Sequence, residues 1–233
     1  ENGADKLVRD DVGGDVHNDN PGEELNRLDR GGGFYGYPYC WSEFALPAQH
    51  ARGPTTQWMW PSFNATHSDE WCRNTTHVIP PVMVMQAHTA PLGITFFGTR
   101  QVGLSSPPPC TAEAVEVGSN GGGGGGGSGG GGAFPCDWVG DAFVSQHGSW
   151  NRDVPVGYAV VRLPFSSASG SPSGEVVSLL AHGGQGAKWP SGFRPTDVQF
   201  DRQGRLLVSS DKSDEIVRIS YSYAPPPPPP SPP

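Results

Sequence analysis

The stretch "RPTDVQFDRQGRLLVSSDKSDEIVRISY", residues 194–221, most constrains what this chain can fold into. Val198 and Phe200 alternate with polar neighbours, "DRQG" turns the chain, and Leu206 and Val208 alternate again. "DKSD" makes a second turn, and Ile216 and Ile219 follow. Strict alternation is the period of a half-buried strand, and the turns are too short to cross a sheet face, so the segment reads as a three-stranded antiparallel meander. The same grammar extends upstream through Val78–Met85, Ile94–Phe97, Ala142–Gln146, Tyr158–Pro164 and Glu175–Leu180, with helical periodicity nearly absent. The four runs 94–97, 142–146, 158–164 and 175–180 would form one four-stranded unit before the terminal three-stranded one. Repeated meanders of this size are the building block of a β-propeller. The expected fold is therefore all-β: a partial propeller of four-stranded antiparallel blades.

Two segments stand outside this pattern. Residues 118–133, "GSNGGGGGGGSGGGGA", offer no side chains to bury and read as a flexible insert in the first connection of that blade. Residues 224–233, "APPPPPPSPP", form a proline-rich tail that cannot join a sheet. The propeller segment is thus expected to span residues 1–223. Beginning at Glu1, without a visible signal peptide, the chain reads as a piece of something longer or processed.

A net charge of −8 argues against a nucleic-acid partner, which would require a basic face. The apolar runs are too short to span a membrane. Cys40, Cys72, Cys110 and Cys136 lack C-x-x-C spacing, which weakens a zinc or redox reading. Three connectivities are open; pairing Cys110 with Cys136 would tie off the glycine insert at its base, leaving Cys40 with Cys72. Asn64 and Asn74 begin N-x-T sequons. Even cysteine count, paired sequons and proline-rich tail together favour an extracellular, secreted protein, with the tail suited to wall or matrix association. Asp10, Asp11, Asp15, Asp19, Glu23 and Glu24 make an acidic run without EF-hand spacing, expected to be a solvated loop.

The loop "HGSWNR", residues 147–152, is richer than a turn requires. A hairpin turn needs Gly, Asn or Asp and little else. Here a base, an aromatic ring, an amide and a cation arrive together as His147, Trp150, Asn151 and Arg152. As a purely structural loop it would plug Trp150 between blades and pair Arg152 with Asp153 or Asp141. Hydrolase motifs of the H-E-x-x-H and G-x-S-x-G types are absent.

Taken in order, "ENGADKLVRDD", "PGEELNRL", "GGGFYGYPYCW", "AHTAPLGITFF", "FVSQHGSWNR" with "GYAVVRLPF", and "GFRPTDVQFDRQGRLLVSSDKSDEIVRI" resemble the glucose/sorbosone dehydrogenase family. The resemblance is to its pyrroloquinoline-quinone-dependent (PQQ-dependent) pyranose and sorbosone dehydrogenase-like members. It implies a six-bladed propeller carrying PQQ and a calcium ion, of which this chain would supply about half; missing N-terminal blades or a partner would close the ring. It further implies transfer of hydride from a sugar or polyol hydroxyl, or a hydrated aldehyde, to the quinone.

Residue by residue, the resemblance places calcium ligands at the backbone carbonyls of Gly3 and Ala4. It places cofactor contacts at His88, at the loop of His147, Trp150, Asn151 and Arg152, and at Arg194. The quinone carries three carboxylates, so cations and hydrogen-bond donors are the residue types its pocket needs. Thr196 stands where the family has a second arginine. The family's general-base histidine has no counterpart here, since neither His17 nor His50 sits in a matching motif, so the chain alone is expected to be inactive. The competing expectation is a non-catalytic extracellular module that binds glycan or protein, consistent with Thr196 and the long insert.

Overall fold

The computed structural model describes residues 1–101, 103–111, 132–183 and 186–222. Most of the glycine insert and the whole proline-rich tail lie outside these residues.

The alternating segments form the expected sheets. Strands β1 (Val8–Arg9), β2 (Gly14–Asp15), β3 (Glu23–Leu25), β4 (Cys40–Ser42) and β5 (Gln57–Met59) precede the short helix α1 (Asp69–Arg73). Then come β6 (Met83–Met85), β7 (Pro91–Phe96), β8 (Ala142–Gln146), β9 (Ala159–Leu163), β10 (Val177–Leu180), β11 (Pro195–Phe200), β12 (Leu206–Ser210) and β13 (Glu215–Ile219). Strands β7 to β10 form one antiparallel four-stranded sheet in the order β10-β9-β8-β7, and β11-β12-β13 form a three-stranded meander. The pairs β1-β2, β3-β6 and β4-β5 are separate antiparallel two-stranded sheets.

Period two decides which face meets what. Along β8, Phe143 joins Phe97, Phe134, Phe200, Val198 and Leu206 in a core shared with the terminal meander. Its neighbours Ala142 and Val144 turn the other way and pack with Val161, Leu163 and Met85 of β6. Strand β8 is thus buried on both faces, between the β3-β6 pair and the terminal sheet. Each fully buried phenylalanine is worth about 1.5–3 kcal/mol of transfer free energy. Gly93 of β7 sits against β11, where a Cβ would lie 2.5 Å from Asp197 Oδ1 and 2.7 Å from its Cα, so only glycine allows this approach.

Two expectations are corrected, and the face of the last strand is settled. The run 78–85 is a strand only over Met83–Met85, because Pro80 and Pro81 have no N–H to donate to a ladder. In β13 the core-facing residues are Val217 and Ile219, opposite Val208 and Leu206, while Ile216 pairs with Ser209 and is 74 % exposed. The acidic run is not uniformly solvated either: Glu23 and Glu24 are buried, whereas Asp10, Asp11, Asp15 and Asp19 are exposed.

Both disulfides form as Cys40–Cys72 and Cys110–Cys136. The second, beside a bridge between Thr111 and Pro135, closes the base of the insert. The first ties β4 to α1, whose N-cap Ser68 accepts the Trp71 N–H at 3.2 Å. Around it pack Val78, Phe34, Tyr39, Met59 and Trp71, while Leu7, Val12, Val16, Trp41, Leu46 and Trp58 make a separate small N-terminal core. Asn64 and Asn74 are both exposed. No described helix is long and apolar enough to cross a membrane.

Candidate functional site

The loop after β8 is closed upon itself and then leans on the N-terminal segment. Ser149 and Val156 exchange bonds, Ser149 N–H to the Val156 carbonyl at 2.9 Å and Val156 N–H to Ser149 Oγ at 3.0 Å. At its tip, Asn151 Nδ2 donates to Asp5 Oδ1 and its carbonyl accepts from His17 Nε2 at 3.0 Å. The Lys6 N–H donates to His17 Nδ1 at 2.9 Å, which fixes the His17 proton on Nε2. Arg152 Nη2 pairs with Asp19 Oδ1 at 2.8 Å. Neither Asp153 nor Asp141 is the partner the structural-loop reading supplied: Asp153 exchanges bonds with Asn18, and Asp141 holds Arg162 at 2.7 Å. Nor does Trp150 plug a gap between sheets, being 76 % exposed.

Arg194, just before β11, reaches this loop from the other side. Its Nε donates to the His147 carbonyl at 3.0 Å and its Nη2 to the Gly148 carbonyl at 2.7 Å. The guanidinium carbon lies 5.4 Å from the Tyr158 ring centroid. These bonds leave Nη1 without a protein acceptor among the described residues. His147 Nε2 lies 2.9 Å from Asp211 Oδ1, and this bond holds the Asp211 carboxyl below its ordinary range. Thr196 turns back on the chain, its hydroxyl donating to the Arg194 carbonyl at 3.3 Å.

The third component comes from residues 3–5 and 88–90. A Cβ on Gly3 would meet the Pro21 carbonyl oxygen at 2.9 Å, so the position needs glycine. The Gly3 N–H donates to Glu23 Oε2 at 2.8 Å, and the Ala90 N–H donates to Glu23 Oε1 at 3.2 Å. Burial raises the Glu23 carboxyl to about 7, against the pull of these amides. His88 is itself buried, with φ of +64°; its Nε2 donates to the His17 carbonyl at 2.6 Å and its ring lies 4.3 Å from that of His17. Burial lowers the His88 pKa, so the ring is a neutral packing element.

The sequence-derived residues therefore lie in one connected patch, in two roles. His147, Trp150 and Arg194 keep atoms or faces open to a ligand. His88, Asn151 and Arg152 spend theirs on neighbouring segments. Gly3 and Ala4 border a cavity of about 130 Å³ whose walls include Trp41, Trp60, Phe63 and Glu24. The much larger cavity, about 920 Å³ between β6 and the β9-β10 pair, touches none of these residues. Among the described residues no group of three or more His, Cys, Asp or Glu could hold a metal ion, so the acidic run does not fold into a cage.

Asp5, His17, Glu23 and Asp211 were missed as members of this patch. Asp5 and Glu23 occupy the acidic positions of "ENGAD" and "GEELNR", the one signal that could have marked them. His17 and Asp211 carry no motif, and only the fold brings them in.

Residues 1–222 match the family described as TrAA12-like. The pyrroloquinoline quinone-dependent sugar dehydrogenase of Hypocrea jecorina is 29 % identical over 231 residues, covering 95 % of this chain and 43 % of that protein. The pyrroloquinoline quinone-dependent pyranose dehydrogenase of Coprinopsis cinerea is 27 % identical, covering 91 % of this chain and 26 % of that protein. An iodide structure of a Trichoderma reesei Carbohydrate-Active Enzymes Family AA12 protein superposes with a TM-score of 0.66 at 29 % identity, covering 93 % of this chain and 47 % of its own. The holo form of the pyranose dehydrogenase PQQ domain from Coprinopsis cinerea shares the fold, with a TM-score of 0.63 at 24 % identity. The chain thus spans less than half the length of these two curated relatives.

Proposed function

This chain belongs to the TrAA12-like family, and from that premise we propose that it is the cofactor-binding part of a PQQ-dependent sugar dehydrogenase-type domain. The observation that carries the reading is the meeting of the N-terminal segment with loops of two sheets, the four-stranded sheet and the terminal meander. Residues 3–5, residues 88–90 before β7 and the 147–152 loop after β8 converge with Arg194 before β11 through one hydrogen-bonded network. In this reading the four-stranded and three-stranded sheets are neighbouring blades of a six-bladed propeller, and the patch is their axial end.

The donor set fits the group. PQQ is a planar tricarboxylate, and Arg194 Nη1 is a cationic donor that no described acceptor uses. His147, hydrogen-bonded through Nε2 to Asp211, adds a polar ring beside it, and exposed Trp150 gives a flat face for the quinone or a sugar ring. The Gly3 and Ala4 carbonyls accept no hydrogen bond from another described residue, and carbonyl oxygens suit calcium, a hard cation. His88, Asn151 and Arg152 act behind these groups by holding the loops. When bound, PQQ would accept hydride from a sugar or polyol hydroxyl; the chain's residues hold and orient the cofactor.

Both disulfides and the exposed Asn64 and Asn74 support an extracellular, N-glycosylated protein. The rival reading, a non-catalytic module binding glycan or protein, draws on Thr196, which supplies no second cation. Titrating the chain with PQQ in the presence of calcium, followed by PQQ absorbance, separates the two. Saturable, calcium-dependent binding that Arg194→Ala weakens by about tenfold or more supports the cofactor site. Absence of binding to the folded wild-type chain would leave the non-catalytic module.

A further inference from the structure

We infer that Glu23 is a positioning residue that sets the spacing between the Gly3–Ala4 carbonyls and the guanidinium of Arg194. The inference rests on the cofactor reading above and assigns a role to a buried carboxylate that the reading does not use. Glu23 is 2 % exposed and divides its two oxygens between two distant segments, Gly3 N–H on Oε2 and Ala90 N–H on Oε1. The second segment is itself unusual. His88 and Ala90 have φ of +64° and +51°, a left-handed conformation that non-glycine residues adopt only where the surroundings impose it.

That bend points the Ala90 N–H at Glu23 while its carbonyl accepts the His147 N–H at 2.9 Å, and the Thr89 carbonyl accepts the Gly148 N–H at 3.0 Å. The carbonyls of His147 and Gly148 in turn hold Arg194. Every step from Gly3 to the guanidinium is therefore a hydrogen bond: Gly3 to Glu23, Glu23 to Ala90, Ala90 to His147, His147 to Arg194. A carboxylate can accept both amides at once. A glutamine has one carbonyl oxygen, and its NH₂ would face the other amide, leaving a buried N–H unpaired.

Two measurements test this. In the wild-type chain, amide exchange should show Gly3 and Ala90 protected together, opening at rates within about threefold of each other, since one acceptor holds both. In Glu23→Gln both amides, and that of His147, should exchange about tenfold or more faster, while amides of β11–β13 keep wild-type rates. The calcium concentration at half-maximal PQQ binding should rise about tenfold in Glu23→Gln, and excess calcium should restore binding; in Arg194→Ala excess calcium should not. A role in stability alone would leave the calcium midpoint of the folded fraction unchanged. Independent wild-type exchange of Gly3 and Ala90, or an unchanged calcium midpoint in folded Glu23→Gln, overturns the inference. If the wild type binds no PQQ, the cofactor reading falls, and the exchange rates alone decide whether Glu23 couples the two segments.

Discussion

The two halves of this chain are stabilised by different means. From β7 onward, strands rich in apolar side chains pair over most of their length, and two continuous cores lie on either face of β8. Before β7, the strands are two or three residues long, and a disulfide and buried polar groups carry much of the organisation. Arg9 is 7 % exposed and held by Asp11 and Asp69; Glu43 is 1 % exposed and accepts from the Arg52 and Gly53 amides and the Trp58 indole. The first arrangement is written in local periodicity. The second depends on partners tens of residues apart, which no local pattern announces.

The comparison breaks if mutations in the two halves behave alike. The largest effect is expected for Phe143→Ala, which empties the centre of the core shared with the terminal sheet. It should cost about 3–5 kcal/mol, seen as a lower midpoint in urea unfolding. Next, Cys40→Ser with Cys72→Ser should cost about 2–5 kcal/mol. Amide exchange should place that loss before β7, with β8 and β12 amides still protected; equal loss in both halves would contradict the division.

A smaller effect should follow from Asp201, in the turn between β11 and β12. Burial opposes its ionisation, but the Arg205 side chain and the amides of Arg205 and Gln203 outweigh that and hold its pKa below 3.8. A depressed folded-state pKa stabilises above the unfolded value and ceases to do so as pH falls through the folded one. Asp201→Asn should therefore lower stability by about 1 kcal/mol at neutral pH and flatten the loss on acidification below pH 4. The smallest effect sharpens the register of β13: Ile216→Ser should change stability by less than about 0.5 kcal/mol, and Val217→Ser by clearly more. Equal effects would place the strand one residue out of register.

This division also explains how far the sequence could be read. The terminal meander was legible because alternation fixes both strand and face, and the four-stranded sheet because its short apolar runs are bounded by turns. The face of β13 was not legible, because Ile216 and Ile219 lie three apart and cannot share a face of a regular strand. Helix α1 was hidden in five residues, too few for periodicity to show. The patch was legible as a set of motif positions, Gly3, His88, the 147–152 loop and Arg194, but not in its wiring. That Asn151 reaches Asp5, Arg152 reaches Asp19, and His88 turns into the protein beside His17 follows from tertiary contacts across 71 to 146 residues.

A quinone and its calcium ion are proposed to bind where these loops meet. A crystal structure of the chain grown with PQQ and calcium tests it most directly. The account predicts cofactor density with one carboxylate on Arg194 Nη1 and the ion on the carbonyls of Gly3 and Ala4. Density confined to the cavity between β6 and the β9-β10 pair, or the patch bare under saturating cofactor, would contradict it.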